Sequence, residues 1–138
     1  MLSQLKALHI ELRLAISELA VEAAKSQPDQ DRLPAARLKL TRLSGRRKSL
    51  IECSIAPRLH NVAPEDARRI ADLRYEAAAI AVATSNHIAR WTTRQIVADW
   101  SGYQRASADM RRAMLRRIDQ EAAIFYPLLE VESARQAA

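Results

Sequence analysis

Residues 70–91, Ile-Ala-Asp-Leu-Arg-Tyr-Glu-Ala-Ala-Ala-Ile-Ala-Val-Ala-Thr-Ser-Asn-His-Ile-Ala-Arg-Trp, carry the most regular pattern in the chain. Ile70, Leu73, Ala77, Ile80, Thr84, His87 and Trp91 return at steps of three and four. This is the spacing of a helix that presents one seam to its neighbours in a bundle. Upstream, Pro64-Glu65-Asp66 supplies a proline and two acids where a helix start favours them, so a helix is predicted from there to about Trp91. Downstream, Thr92-Thr93-Arg94-Gln95 fits a capping box that opens a short helical connection through Trp100. Ser101-Gly102 then punctuates before a last helix.

The same reading extends to both ends. From Leu2 to about Lys25, Leu5, His9, Leu12, Ile16 and Leu19 make a seam, which aims His9 at the core. Gln27-Pro28-Asp29-Gln30-Asp31 breaks that pattern, and a second helix is predicted from near Pro34 with the seam Ala36, Leu40, Leu43, Arg47, Leu50, Ser54. Ser44-Gly45 is a candidate bend, and Pro57 a stop or kink, because proline lacks an amide hydrogen and clashes with the preceding turn. The last helix offers Ser107, Met110, Met114, Arg117, Glu121, Ile124 and Leu128, and is expected to end near Pro127. The expected fold is therefore all-α, an up-down antiparallel four-helix bundle in one domain over residues 1–130, with residues 131–138 a frayed tail.

Composition bounds the rest. A chain of 138 residues, 49% hydrophobic, rich in strong helix formers and holding 2 glycines, suits one helical domain and leaves little material for hairpins. No stretch is apolar enough for a membrane span, and the first residues are charged rather than built like a signal peptide, so a cytoplasmic, bacterial-type protein is expected. The lone Cys53 fits a reducing compartment and is read as packing. The net charge of +6 gathers between Arg32 and Arg58, where Arg32, Arg37, Lys39, Arg42, Arg46, Arg47, Lys48 and Arg58 face only Glu52. A run of this kind reads first as a solvated helix face, and weak nucleic-acid binding is its alternative. No DNA- or RNA-binding signature accompanies it, and aromatic residues for stacking on single strands are few. Catalysis lacks support, since there is no nucleophile elbow, glycine-rich phosphate loop or paired His-Glu zinc motif.

Placing the seams together turns His9, Arg47, His87, Arg117 and Glu121 inward. Charged groups in a core must pair or line something, because an unpaired buried ion is costly. The segment Asp119-Gln120-Glu121-Ala122-Ala123-Ile124-Phe125-Tyr126-Pro127-Leu128-Leu129, preceded by inward histidines at 9 and 87, resembles the hemerythrin-like (HHE cation-binding) family. Ile55-Ala56-Pro57-Arg58-Leu59 repeats the apolar-Pro-x-Leu ending on the second helix. The resemblance implies a four-helix bundle with an iron site in which His9, His87 and Glu121 are ligands. It also implies ligands at three positions filled here by Arg47, Ile51 and Arg117. Arginine stays protonated and repels a cation, so the pattern reads as an eroded metal site.

Three functions follow from this. The first is a non-enzymatic regulatory or interaction module without a cofactor, its partner another protein or a second copy. The second is an oxygen or redox sensor that keeps one iron on the reduced set. The third is the nucleic-acid alternative. Simpler readings also apply: the histidines as hydrogen-bonded core residues, Arg47 and Arg117 reaching for the surface, Arg117 and Glu121 as an intrahelical pair, and Met110 and Met114 as filler.

Overall fold

The computed structural model describes residues 1–138 and is all-helical, with no strand. The helices are α1 (Leu2–Ala23), α2 (Arg32–Leu50), α3 (Pro64–Arg90), the short α4 (Thr93–Ala98) and α5 (Trp100–Ala137). The α1–α2 turn is held by Asp29, whose carboxylate accepts from the amides of Asp31 (2.9 Å) and Arg32 (2.8 Å), so α2 starts two residues before Pro34. Ser44-Gly45 does not break α2. Past Leu50 the chain widens into a π-helical turn, Ile51–Ile55, and tightens into a 3-10 turn, Ala56–Arg58, before leaving the helix. Proline has ended this helix as expected. Cys53 lies on the outer side of the π-helical turn and is exposed, so it is not a packing residue.

Ion pairs set the direction of the helices. Glu18 reaches Lys39 and Glu11 reaches Arg46, which makes α1 and α2 antiparallel. Arg13 pairs with Asp119, and the carbonyls of Ala23, the last residue of α1, and of Lys25 just beyond it accept from Gln104 (2.7 Å) and Trp100 (2.9 Å), which makes α1 and α5 antiparallel. These side chains satisfy two carbonyl oxygens that a helix terminus leaves open. The entry to α5 is fixed by Asp99, whose carboxylate accepts from the amide of Gly102 at 2.9 Å. Thr92 caps α4 as expected, accepting from the Gln95 amide.

The α1 seam is buried throughout. In α2, Leu40 and Leu43 are buried, with Ala36, Arg47, Leu50 and Ser54 half-buried. The seam of α3, the most regular in the sequence, is buried only at its ends, by Ile70, Leu73 and Trp91. Ile80 and Thr84 are exposed, along with Ile88 beside them and Val82 on the opposite side of the helix. α3 packs mainly on α5.

The second departure is at Pro127. α5 continues through it to Ala137, so the helix does not end near Pro127 as expected. Proline removes one backbone hydrogen bond, but Pro127 is exposed while Phe125 and Leu129 on either side are fully buried. Burying a phenylalanine and a leucine contributes about 1.5–3 kcal/mol each, enough to offset a cost of about 3 kcal/mol for an interior proline.

Candidate functional site

Two apolar clusters fill the interior. One gathers Leu8, Leu12, Leu19, Leu40, Leu43 and Ile118 with the aromatic residues Trp91 and Tyr103. The other gathers Leu5, Ile51, Ile55, Leu59, Ile70, Phe125 and Leu129, so the two Pro-x-Leu endings meet in one cluster. Between them lies a polar layer. His9 comes from α1 between Leu5 and Leu12, Arg47 from α2 between Leu43 and Ile51, and Arg117 and Glu121 from α5 on either side of Ile118 and short of Phe125.

Glu121 is the centre of the layer and is 1% exposed. Its Oε1 accepts from His9 Nε2 at 3.0 Å and lies 3.8 Å from Arg47 Nε. Its Oε2 accepts from Arg117 Nε at 3.3 Å. On the other side of the imidazole, the Tyr126 hydroxyl meets His9 Nδ1 at 2.6 Å. Because the carboxylate only accepts, Nε2 carries the proton, and the phenol donates to Nδ1. Burial pushes the Tyr126 phenol above its ordinary value, with Glu121 acting the same way and Arg13 against it, which keeps the hydroxyl protonated and donating. The chain runs Tyr126 to His9 to Glu121, and two guanidinium groups close on the carboxylate.

Donors outnumber acceptors in this layer. Arg47 Nε and Arg117 Nη1 are buried without a hydrogen-bond partner, as is Ser44 Oγ. Two guanidinium groups beside the only carboxylate of the layer oppose a cation there electrostatically. No group of three His, Cys, Asp or Glu side chains converges anywhere in the protein.

Of the residues singled out in the sequence, His9, Glu121, Arg47 and Arg117 are brought together, and the two arginines turn onto Glu121 rather than to the surface. His87 does not join them. Its ring stands edge-on to Tyr103, centroids 6.0 Å apart. Tyr103 lies eighteen residues up α5 from Glu121, roughly 27 Å at 1.5 Å per residue. The set His9, His87 and Glu121 therefore cannot share one ion. His87 is half-buried and its imidazole is held below its ordinary value by burial, with Arg37 adding to the effect.

The basic run does not form one face. Arg47 points inward, Arg37 lies over the Tyr103 ring at 5.4 Å, and Lys39 and Arg46 pair with acids of α1. Two tyrosines were not singled out by the seams. Tyr126 lies between the seam residues Ile124 and Leu128, two positions from each, and Tyr103 lies one turn before the first seam residue, Ser107. The signal for Tyr126 was its place next to Pro127, where the family ending has an aromatic residue.

No protein-family model matches the chain, nor does any curated protein or solved structure.

Proposed function

We propose that this chain is a hemerythrin-like up-down four-helix bundle in which the metal site has given way to a closed hydrogen-bond and ion-pair network, and that it works as a non-enzymatic interaction module. The antiparallel directions of α1, α2 and α5, with α3 meeting α5 in the opposite sense, support the topology. The observation that carries the reading is the Glu121 carboxylate: both its oxygens are engaged by His9 and Arg117, with Arg47 beside them. Groups that would ligate a cation hold the helices to one another instead. Elemental analysis and an absorption spectrum of protein from iron-replete, aerobic culture test this. The expected result is no stoichiometric iron, and an iron pair with an oxo-bridged charge-transfer band overturns it.

The contact surface in this reading is the middle of α3. Residues 77–89 carry no acid, lysine or arginine, and Ile80, Thr84 and Ile88, four apart along one side of the helix, are exposed, Ile80 and Ile88 at 39% and 45%. The occupant is a second copy of the chain. At a net charge of +6 two copies repel over most of their surface, and this uncharged run can meet its own image without like charges opposed. Light scattering across a concentration series should show a dimer that Ile88→Glu dissociates. A monomer at all concentrations removes the second-copy reading.

A further inference from the structure

A second set of polar groups, separate from the Glu121 layer, gathers where α2, α3 and the start of α5 approach. Tyr103 is completely buried, and no partner meets its hydroxyl in good hydrogen-bond geometry, the Ser107 hydroxyl being the group that lies near it. Arg37 of α2 lies over its ring. His87 of α3 stands against its edge. One turn along α5, Ser107 is 1% exposed, and its hydroxyl and carbonyl both accept from Arg111 Nε, at 3.3 and 3.2 Å.

No carboxylate serves this cluster. Neither Arg37 nor Arg111 takes part in any of the protein's ion pairs. The groups that act electrostatically on His87, Tyr103 and Arg111 are Arg37, Arg111, Arg112, Ser107 and Tyr103, with no acid among them. Burial pushes the Tyr103 phenol up, keeping the hydroxyl a donor, and pushes the Arg111 guanidinium down. Two half-buried guanidinium groups, an imidazole and a donor hydroxyl thus share a region without a counter-ion. An isolated buried polar group without a partner is costly and calls for one.

The geometry points to a binding site for a small oxyanion, a carboxylate or phosphate group, held by Arg37 and Arg111 and hydrogen-bonded by the Tyr103 hydroxyl. A planar guanidinium presents parallel N–H donors that match such oxygens, and charge-assisted bonds of this kind are the stronger class. His87 at the rim adds a further ring N–H. This site does not depend on the fate of the Glu121 layer or on dimer formation.

The protein carries its own reporter, because its 2 tryptophans, Trp91 and Trp100, belong to the same cluster, Trp91 and Trp100 each 5.7 Å from the Tyr103 ring. The test is a titration of tryptophan fluorescence with inorganic phosphate and, separately, with acetate, at constant ionic strength and without chloride. Saturable change with either anion is expected, and the anion that binds tighter identifies the group. Arg37→Gln and Arg111→Gln should each weaken binding about tenfold or more, as loss of a charge-assisted contact does. Arg42→Gln removes the same charge from an exposed position on α2 and should leave affinity unchanged. Tyr103→Phe keeps the ring and removes only the hydroxyl, so it should weaken binding with the helical circular dichroism intact. Absence of saturation with both anions overturns the site. So does an equal loss in Arg42→Gln and Arg37→Gln, which would mean attraction to net charge alone.

Discussion

Replacing Glu121 by Gln keeps the shape of the side chain and removes its charge, which makes it the sharpest probe of the polar layer. In the folded protein the carboxylate is 1% exposed and faces side chains of Arg117 and Arg47 that are 9% and 14% exposed. The amide can still accept from His9 through its oxygen, but its NH2 then faces Arg117 Nε, setting donor against donor. Loss of one charge-assisted hydrogen bond costs about 1.5–3 kcal/mol, and breaking a buried pair by removing one partner about 3–5 kcal/mol. Arg47 stands at 3.8 Å and is the more exposed of the two arginines, so it can turn toward water, and the expected loss is therefore near the lower limit, about 3 kcal/mol. Arg117→Met leaves Glu121 with His9 and Arg47, and should cost about 2 kcal/mol. In the double variant the donor clash and one orphan cation are both gone. The cycle should show a coupling of about 2 kcal/mol, with the double variant no less stable than Glu121→Gln alone. Urea unfolding followed by circular dichroism at neutral pH gives all four stabilities, provided that the slope with denaturant stays constant. Losses below about 1 kcal/mol that simply add are the signature of a solvated pair and would refute the buried layer.

Gly102→Ala should destabilise the protein by about 1 kcal/mol, the value of a helix cap, because a Cβ there would lie 2.2 Å from Asp99 Oδ2 and displace the capping carboxylate; an unchanged melting temperature would count against that cap. Tyr126→Phe removes the donor to His9 Nδ1 and should cost about 1 kcal/mol in urea unfolding, with no effect expected if the imidazole exchanges it freely for water. His87 gives a pH dependence. Its folded value lies below the ordinary 6.5, so over the interval just below 6.5 the folded chain holds fewer protons than the unfolded one. Stability therefore rises with pH across that interval and falls on acidification, and His87→Gln should be less steep than the parent there. Identical slopes would place the ring in solvent.

The helices and their punctuation were legible because apolar period and capping chemistry are local properties. His9, Arg47, Arg117 and Glu121 were legible as inward groups for the same reason, each filling a seam position of its helix. A seam states which side of a helix faces inward but not at what height. This is why His87, inward on α3, meets Tyr103 several turns away from Glu121. Nor does a seam state that anything covers it. The middle of α3 has the cleanest apolar spacing in the sequence, and it stays uncovered. Pro127 misled for the opposite reason: its local cost is real, but the burial of Phe125 and Leu129, set by distant segments, outweighs it. Tyr103 and Arg37 lacked any sequence signal, since their pairing joins residues far apart in the chain.

The carbonyls at the end of α1 accept from Trp100 and Gln104, and this dictates when the chain can settle during its own synthesis. The α1–α2 hairpin leaves the ribosome first, yet its end cap, its charge partner for Arg47 and the acceptor for His9 all lie on α5, more than seventy residues later in the case of the cap. Until α5 emerges, the hairpin carries inward polar groups that only water can satisfy. The N-terminal hairpin therefore depends on the last helix for its polar partners, and Glu121 and Phe125 complete both halves together.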